Sequence, residues 1–331
     1  MLNQHSKMTW HILGAGAIGC LWATKLARQS NHCVLLKRAD SNQAIAPYQQ
    51  LNISLTDLDH HQSDYQIESQ PIHPGLSISH LLVCTKSYQT EAAIKSIRSS
   101  LTADATIVLL QNGMGQQQIV SDLLARQTLL IATTTEGALL TAKSAAGLQL
   151  THSGAGVSYF GKFQPQDIIS PQVQQSLSAI DMCLQTDISS LILNKLAINC
   201  VINPLSALYN CTNGQLYKNA ELLAKVEQLS TEVDRVMTAL AVAPANHLNR
   251  TLQQVLVVAK ATENNFSSMQ QDIQHGRKTE ISFINGYLQR QANQLNIHLP
   301  YNQRILQKIQ CLEQSFNNRQ SNGEQKTPPI R

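Results

Sequence analysis

The feature that most constrains this chain lies near its start, in the glycine-rich segment Gly14-Ala15-Gly16-Ala17-Ile18-Gly19. A short apolar run precedes this segment and a helical pattern follows it, which is the G-x-G-x-x-G signature of a dinucleotide-binding βαβ unit. Gly14 permits the turn, Gly16 lets the backbone approach a pyrophosphate, and Gly19 lets strand and helix pack closely. The helix N-terminus would hold the pyrophosphate. A glycine turn with only a structural role is the less favoured alternative.

The first half of the 331-residue chain alternates short apolar runs with helical patterns. This alternation is typical of a parallel sheet with crossover helices. Residues 51–75 alternate weakly and are compatible with extra strands or with a loop. Residues 148–150 and 157–160 flank a glycine-rich turn and predict an antiparallel hairpin. The predicted strands are 10–13, 33–36, 80–84, 106–110 and 129–133, and the predicted helices are 17–29, 89–97 and 115–124.

From about residue 187 the strand pattern ends and a 3.6-residue periodicity replaces it. The sequence therefore predicts an α/β protein with two domains. Residues 1–186 would form a Rossmann-type dinucleotide-binding domain, and residues 187–316 a second domain that is all helical. The polar end, residues 317–331, is predicted to be a disordered tail. The predicted helices of the second domain are 191–203, 220–241, 248–261, 269–274 and 280–293.

The composition narrows the classes of partner. The formal net charge of +4 is not gathered into a basic block, so neither nucleic acid nor an anionic membrane is expected. The seven cysteines form no C-x-x-C pair, which favours buried free thiols in a reducing compartment and no bound metal. The most apolar stretch, residues 191–208, is interrupted by polar residues that make a membrane span costly. We expect a cytoplasmic protein, and we leave monomer or homodimer undecided.

The end of the second predicted strand, Lys37-Arg38, bears on the choice of cofactor. An acidic residue near this point would bind the ribose 2′-hydroxyl of NAD, whereas arginine accommodates the 2′-phosphate of NADP. The alternative is a pair of solvated charges at a strand end. The sequence favours NADPH.

Three polar residues, Lys195, Asn199 and Asn203, recur every four positions in an otherwise apolar helical stretch. A step of four residues displaces each side chain by only about 40° around the helix, so the three share one narrow stripe. Lysine is rarely buried without a partner, and buried asparagine needs hydrogen bonds. A stripe that faces a ligand is therefore favoured over a stripe that faces open water.

Two more polar residues of the second half are ambiguous. Glu280 shares the predicted apolar helix face of Ile284 and Leu288, which indicates either a functional carboxylate or a first-turn acid that complements the helix dipole. Ser268 lies at a helix start with a Ser-x-x-Gln capping box. It would either cap the helix or bind a carboxylate there.

Several motifs resemble, in order, those of the ketopantoate reductase family, and the resemblance runs from Thr9 to Glu313. Gln111 departs from the family, which more often has histidine there, and residues 47–76 follow no family pattern. The departures concern detail and not the expected chemistry. The matching motifs are Gln111-Asn112-Gly113-Met114-Gly115, Lys195 to Leu205, Asn210 to Gly214, Asn265 to Met269, and Thr279-Glu280-Ile281 with Ile284-Asn285-Gly286.

The resemblance implies NADPH-dependent reduction of 2-dehydropantoate to (R)-pantoate, a step of pantothenate and coenzyme A biosynthesis. The alternatives are reduction of another small 2-oxo acid, or a non-catalytic NADPH-binding regulator. Lys195 would donate a proton to the substrate carbonyl. The implied cofactor-binding residues are Gly14, Ala15, Gly16, Ala17, Ile18, Gly19, Arg38, Lys86, Asn112, Ala138 and Glu280. The implied substrate-binding residues are Asn112, Lys195, Asn199, Asn203, Asn213 and Ser268.

Overall fold

A computed structural model describes residues 8–29, 31–37, 48–73, 75–144, 147–240 and 250–321. The chain divides into two compact units, Met1–Gln111 with Gln116–Ser189, and Asn112–Gly115 with Ser190–Arg331. The division after Ser189 lies three residues beyond the predicted boundary at 186. The short segment Asn112–Gly115, which the sequence analysis assigned to the first domain, belongs to the second unit.

The first unit is built on one sheet, which has eleven strands among the described residues. The strands are β1 (Thr9–Leu13), β2 (His32–Lys37), β3 (Gln49–Thr56), β4 (Gln62–Pro71), β5 (Ile78–Val83), β6 (Leu101–Leu109), β7 (Thr128–Thr134), β8 (Gly137–Ser144), β9 (Gly147–Gly154), β10 (Ser158–Lys162) and β11 (Met182–Leu184). Its helices are α1 (Ala17–Arg28), α2 (Ser87–Ile97), α3 (Gln116–Leu123) and α4 (Pro171–Ser178).

The centre of the sheet has the strand order β4-β2-β1-β5-β6-β7, and each neighbouring pair in this run is parallel. Counted along the chain, this is the order 3-2-1-4-5-6 of the Rossmann fold. The predicted fold class is therefore confirmed. In such a sheet the strand order reverses between β1 and β5, and ligands bind at the carboxyl ends of the strands at that point.

The remaining strands extend the sheet until it curls around α1. Helix α1 packs against β1, β2, β3, β4, β8 and β9. Strand β8 follows β7 after two residues of chain, although the two strands are far apart in the sheet order. Leu21, Trp22 and Leu26 of α1 are completely buried in the resulting core. The helix that carries the glycine loop is thus fixed from several sides.

The predicted hairpin of residues 148–150 and 157–160 is wrong. Strand β9 pairs with β3 and β8, whereas β10 pairs with β7 and β11. Gly156 packs so closely on the chain before β8 that a Cβ atom would lie 2.3 Å from the amide nitrogen of Glu136. The chain after β9 therefore crosses to β7 instead of folding back. Residues 51–75 lie mostly in β3 and β4, so the extra strands are present.

The regular secondary structure of the second unit is all helical within its described residues, as predicted. One apolar cluster forms its core. Helix α5 is long and apolar enough to cross a membrane by length and composition alone, but most of it is buried, as in the core helix of a soluble protein. The helices are α5 (Ile188–Leu208), α6 (Gln215–Lys218), α7 (Ala220–Ala239), α8 (Arg250–Ala261), α9 (Ser268–Gln274), α10 (Asn285–Gln294) and α11 (Pro300–Ser321).

Two predictions about this unit need correction. The predicted helix 280–293 is divided, because a 3-10 turn (Ile281–Phe283) precedes α10. The predicted disordered tail begins inside α11, which continues to Ser321, while residues 322–331 lie outside the described residues. The sequence analysis missed α11 because few apolar residues mark it, although Ile305 and Ile309 are four apart and buried.

The cysteines form no disulfide, as expected for free thiols. Their predicted burial is wrong at two positions, since Cys183 and Cys311 are exposed. Cys183 lies in the short strand β11, which ends the sheet, so that no strand of the described residues pairs with its outer side. Apolar sequence neighbours do not ensure burial at such an edge.

Candidate active site

The glycine loop leads from β1 into α1, and its three glycines have different surroundings. Gly14 has φ +110°, and a Cβ atom there would lie 2.7 Å from the backbone of Cys84. A Cβ on Gly19 would lie 2.0 Å from the carbonyl oxygen of Gly14. Around Gly16, in contrast, no atom of the other described residues, apart from its immediate chain neighbours, lies within 4 Å of the Cβ position. The protein fills the space at the first and third glycines and leaves it open at the second.

The start of α1 suits an anionic group. Gly16 precedes the first helical residue, and no side chain caps the helix. The first turn of α1 contains no acidic residue. The first amides of a helix lack intrahelical acceptors, and the helix dipole favours negative charge at this end. Ala15 and Gly16 are exposed, while Ala17 and Ile18 are half-buried. The residues present therefore fit the phosphates of a dinucleotide.

The carboxyl ends of β5 and β6 adjoin this loop, because Gly14 touches the chain just after β5. Lys86 directly precedes α2, and its carbonyl oxygen accepts a hydrogen bond from the hydroxyl of Thr90 at 3.2 Å. Gln111, which stands in place of the usual histidine, follows β6. Its Nε2 donates to the carbonyl oxygen of Val83 at 2.5 Å. Lys86 therefore lies just beyond the carboxyl end of β5, and its contact with the cofactor remains a prediction.

Two predicted cofactor residues remain predictions. Arg38 lies outside the described residues, and only Lys37, the last residue of β2, is described at that strand end. Ala138 lies on β8, and its side chain packs against the apolar core around α1. This position is near the helix that follows the glycine loop, but it does not by itself indicate a cofactor contact.

The second unit brings Lys195 and Asn112 together. The ammonium of Lys195, on α5, donates to Oδ1 of Asn112 at 2.9 Å. Asn112 is placed by the segment that follows it. Met114 donates its amide to the carbonyl oxygen of Phe283 at 2.8 Å. Gly113 has φ +85°, and a Cβ atom there would lie 2.5 Å from the same oxygen. Only glycine therefore allows Asn112 to reach Lys195 in this way.

Glu280 acts on the same lysine. Burial lowers the pKa of Lys195 from 10.5 to about 8, while the negative charge of Glu280 raises it. Glu280 is itself buried, and it precedes the 3-10 turn instead of standing within a helix. Neither predicted setting, a helix face or the first turn of an α-helix, is correct. Its carboxylate is nevertheless the group that favours the charged form of Lys195.

A second group of predicted residues lies further along α5. Asn203 is buried, and its carbonyl oxygen accepts from the hydroxyl of Ser206 at 3.1 Å. The hydroxyls of Ser206 and Ser267 are 2.7 Å apart. Ser267 caps α9 by accepting from the amide of Gln270 at 3.1 Å. The alternative in which Ser268 is the cap is therefore wrong, and Ser268 is an exposed residue of the first turn.

Asn213 is fixed against the segment that leads to α9. Its backbone amide donates to the carbonyl oxygen of Asn265, and its Nδ2 to Oγ1 of Thr262, both at 2.9 Å. Its Oδ1 is buried and accepts no hydrogen bond within the described part of the chain. The described hydrogen bonds also include none to the side-chain amides of Asn199 and Asn203. That these three amides bind a substrate remains a prediction.

The sequence analysis assigned no role to a buried polar group next to these residues. Asn285 and Asn302 are completely buried, and the Nδ2 of Asn285 donates to the carbonyl oxygen of Cys200 on α5. Pro204 was the sequence signal that a side-chain donor is needed here, because a proline inside a helix leaves the carbonyl four residues earlier without its amide donor.

Comparison with known proteins decides the family. Residues 10–165 match the family model described as "Ketopantoate reductase PanE/ApbA", and residues 187–313 match "Ketopantoate reductase PanE/ApbA C terminal". The chain belongs to the ketopantoate reductase family. A 2-dehydropantoate 2-reductase of Vibrio cholerae is 32% identical over 310 residues, covering 92% of this chain and 98% of the relative. Another, of Pyrococcus horikoshii, is 28% identical and covers 89% and 94%.

Solved structures agree on the fold. A probable 2-dehydropantoate 2-reductase of Bacillus subtilis has a TM-score of 0.72 at 23% identity and covers 92% of this chain and all of its own. A D-mandelate dehydrogenase in complex with NADH and anilino(oxo)acetate has a TM-score of 0.79 at 19% identity, covering 94% of this chain and all of its own. The fold is thus shared by enzymes named for different substrates, and it does not choose between them.

Proposed function

We propose that this protein reduces 2-dehydropantoate to (R)-pantoate with NADPH. The observation that carries the proposal is the partly buried Lys195, paired with Asn112 and influenced by Glu280, in a chain that aligns over 92% of its length with 2-dehydropantoate 2-reductases. The product would enter pantothenate and coenzyme A biosynthesis. A cytoplasmic location and the absence of a nucleic-acid partner remain expectations from the sequence.

The proposed role of Lys195 follows from charge. When bound, a reduced nicotinamide supplies the hydride for the carbonyl carbon of the substrate. Negative charge then develops on the carbonyl oxygen, and a nearby ammonium stabilises it and donates a proton. The pKa of about 8 keeps Lys195 largely protonated at neutral pH while making its proton easier to transfer than that of an ordinary lysine. Asn112 orients the ammonium by accepting one of its three protons.

Two amides of α5 and one that follows this helix would hold the rest of the substrate. Asn199, Asn203 and Asn213 offer both donors and acceptors, which suits the carboxylate and the hydroxyl of 2-dehydropantoate. Ser268, the residue after Ser267, adds an exposed hydroxyl. A pocket built from hydrogen-bonding groups discriminates strongly against substrates that lack the matching groups. We therefore expect a preference for a hydroxylated 2-oxo acid.

The two rivals make different predictions. A reductase of another 2-oxo acid would turn over pyruvate or benzoylformate, the keto acid of mandelate, better than 2-dehydropantoate. A regulator would bind NADPH without turnover. The test is NADPH oxidation, followed by the loss of absorbance at 340 nm as is usual for reduced nicotinamides, with each of the three acids. The proposal requires the highest kcat/KM for 2-dehydropantoate and fails if another acid is preferred or none is reduced.

The preference for NADPH rests on Arg38 in the sequence. A hydrogen bond to a charged group contributes about 1.5–3 kcal/mol, so Arg38→Ala should weaken NADPH binding by roughly 10–150-fold and leave NADH binding nearly unchanged. Both dissociation constants can be measured by calorimetry, with Lys37→Ala as the neighbouring control. Equal losses for both cofactors would show that Arg38 does not bind the 2′-phosphate.

A further inference from the structure

Helix α5 contains a proline that leaves one backbone carbonyl of the helix without its usual amide donor. Pro204 lies inside α5 and has no amide proton to give to the carbonyl of Cys200, four residues earlier. Cys200 is completely buried, so solvent is excluded from its surroundings. Nδ2 of Asn285 donates to this carbonyl oxygen at 2.8 Å. The side chain of Asn285 thus replaces the missing backbone donor.

Asn285 is itself held by a buried polar chain. Its Nδ2 also donates to Oδ1 of Asn302 at 2.9 Å, and Nδ2 of Asn302 donates to the carbonyl oxygen of Asn285 at 3.2 Å. A further bond at 3.0 Å joins Nδ2 of Asn302 to Oε1 of Gln289. The amides of Tyr301 and Asn302 donate to the buried carboxylate of Glu232 at 2.9 and 2.7 Å. Helices α5, α7, α10 and α11 are therefore joined through one network.

We propose that Asn285 is a positioning residue for the polar stripe of α5, a proposal that rests on the function proposed above. Cys200 lies between Asn199 and Asn203 in α5. The direction of the helix axis at Cys200 therefore determines how Asn203 is placed relative to Lys195 and Asn199. Pro204 obstructs the straight helix at this point. The bond from Asn285 fixes the direction that α5 takes, and with it the alignment of Lys195 and Asn199 with Asn203.

Asn285 also stands directly after the segment that affects Lys195. Phe283, two residues earlier, accepts the amide of Met114 and so supports Asn112. Glu280, five residues earlier, raises the pKa of Lys195. The hydrogen bond from Asn285 to α5 therefore fixes the positions of the Lys195 ammonium, of the Asn112 oxygen that accepts from it and of the Glu280 carboxylate relative to one another. If the tie is lost, the influence of Glu280 on Lys195 weakens, and the pKa of Lys195 falls below its present value of about 8.

The first test is a double-variant cycle on the unfolding equilibrium, which needs no substrate. An unsatisfied buried carbonyl costs about 1–3 kcal/mol, so Asn285→Ala should lower the folding equilibrium constant by roughly 5–150-fold. In the Pro204→Ala background, residue 204 has an amide proton that can serve the carbonyl of Cys200. In that background, Asn285→Ala should lower the folding equilibrium constant by a clearly smaller factor. Equal losses in both backgrounds overturn the proposal.

The second test separates positioning from stability. Asn285→Asp keeps the size of the side chain and removes the donor, and Gln294→Ala changes an exposed residue of the same helix as a control. We expect kcat for reduction to fall at least several-fold in Asn285→Ala and Asn285→Asp, and its alkaline limb to move to lower pH. The dissociation constant for NADPH and the Gln294→Ala profile should stay as in the unaltered protein. A limb that stays in place in both variants overturns the proposal.

The outcomes distinguish this proposal from the proposed function. An unaltered protein that does not reduce 2-dehydropantoate refutes the function, but the unfolding cycle still tests the bond to Cys200. If Asn285→Ala does not fold, Pro204→Ala with Asn285→Ala should fold, because the carbonyl has its donor back. If the double variant also fails to fold, Asn285 has a structural role beyond this bond and the proposal is wrong.

Discussion

The glycine loop of the first unit and the group around Lys195 in the second, formed by Asn112, Lys195 and Glu280, are built in opposite ways. In the loop, six consecutive residues supply both the turn and the backbone amides that suit phosphates. The three residues of the lysine group come from separate segments, and Asn112 and Lys195 are 83 residues apart. The loop depends on local backbone geometry. The lysine group depends on the packing that brings distant side chains together, so the two should respond differently to substitution.

The largest expected effect comes from removing the group that carries the chemistry of the second unit. Lys195→Ala should reduce the rate of ketone reduction by about 10²–10⁴-fold, the usual contribution of a positioned acid. NADPH affinity should change little, because the glycine loop is untouched. Stopped-flow kinetics and calorimetry would measure the two quantities, with the exposed Lys260→Ala as the matched control.

The role proposed for Lys195 also predicts the direction in which each reaction rate changes with pH. Lys195 must be protonated to donate, so reduction should fall as the pH rises through its pKa of about 8. Oxidation of pantoate needs the neutral amine, so that rate should fall as the pH drops through the same value. Both limbs should vanish in Lys195→Ala. If they persist in the variant, the proton comes from another group and Lys195 only positions the substrate.

The contrast between the two sites explains what the sequence could predict. The positions of strands β1, β2, β5, β6 and β7 along the chain could be predicted from local patterns, because each strand contains a short apolar run. The pairing of β9 with β3 and β8 could not be predicted, because it depends on how far the sheet curls around α1. Helix α11 was not predicted, because only a few apolar residues of this glutamine-rich segment pack into the core.

Two glycine variants test whether the loop of the first unit binds phosphate through its backbone geometry. Gly16→Ala adds a methyl group that meets no other described residue within 4 Å beyond its chain neighbours, so the fold should persist. The same methyl group would occupy space needed by the pyrophosphate, and overpacking of about 1–3 kcal/mol corresponds to a loss of NADPH affinity of roughly 5–150-fold. Gly14→Ala should instead lower the unfolding temperature, because it meets the backbone of Cys84 at 2.7 Å. A Gly16→Ala protein with unchanged NADPH affinity would contradict the phosphate site.

The candidate site of the second unit was predictable only in part. The spacing of Lys195, Asn199 and Asn203 is visible in the sequence because one helix carries all three. The partners of Lys195 were reached through family resemblance, since no local pattern joins residue 112 to residue 195. Asn285 lay within a quoted motif, yet its role depends on the helix that happens to pack beside it. Pro204 signalled that a donor was needed but not which residue would supply it.

A smaller effect is expected at the start of α9. Ser268→Ala should raise KM for 2-dehydropantoate by roughly 10-fold, the lower end for a hydrogen bond to a carboxylate, because Ser268 is exposed to water. NADPH affinity should be unaffected. Ser267→Ala is the matched control, since it removes the helix cap and should cost about 1 kcal/mol of stability. Impaired NADPH binding in Ser268→Ala would show that its assignment to the substrate is wrong.

The smallest expected effect concerns the strand that carries the glycine loop. His11, on β1, is buried, and this burial, reinforced by the nearby His32, lowers its pKa from 6.5 to about 4, although a backbone hydrogen bond at His80 opposes the shift. In the folded protein His11 therefore stays neutral between these values, while in the unfolded chain it takes up a proton. Its contribution to stability is complete above pH 6.5 and is lost progressively as the pH falls towards 4.

Both tryptophans of the chain, Trp10 and Trp22, lie in the core of the first unit, so their fluorescence reports the unfolding of that unit alone. At pH 5.5 we expect the first unit to have lost about 1 kcal/mol of its unfolding free energy through His11. His11→Gln cannot titrate and should show a flatter dependence in urea unfolding followed by fluorescence. His73→Gln, in the loop between β4 and β5, changes a histidine outside the core and should leave the dependence unaltered. If His11→Gln loses stability between pH 6.5 and 4 as steeply as the unaltered protein, another group of the first unit causes its acid sensitivity.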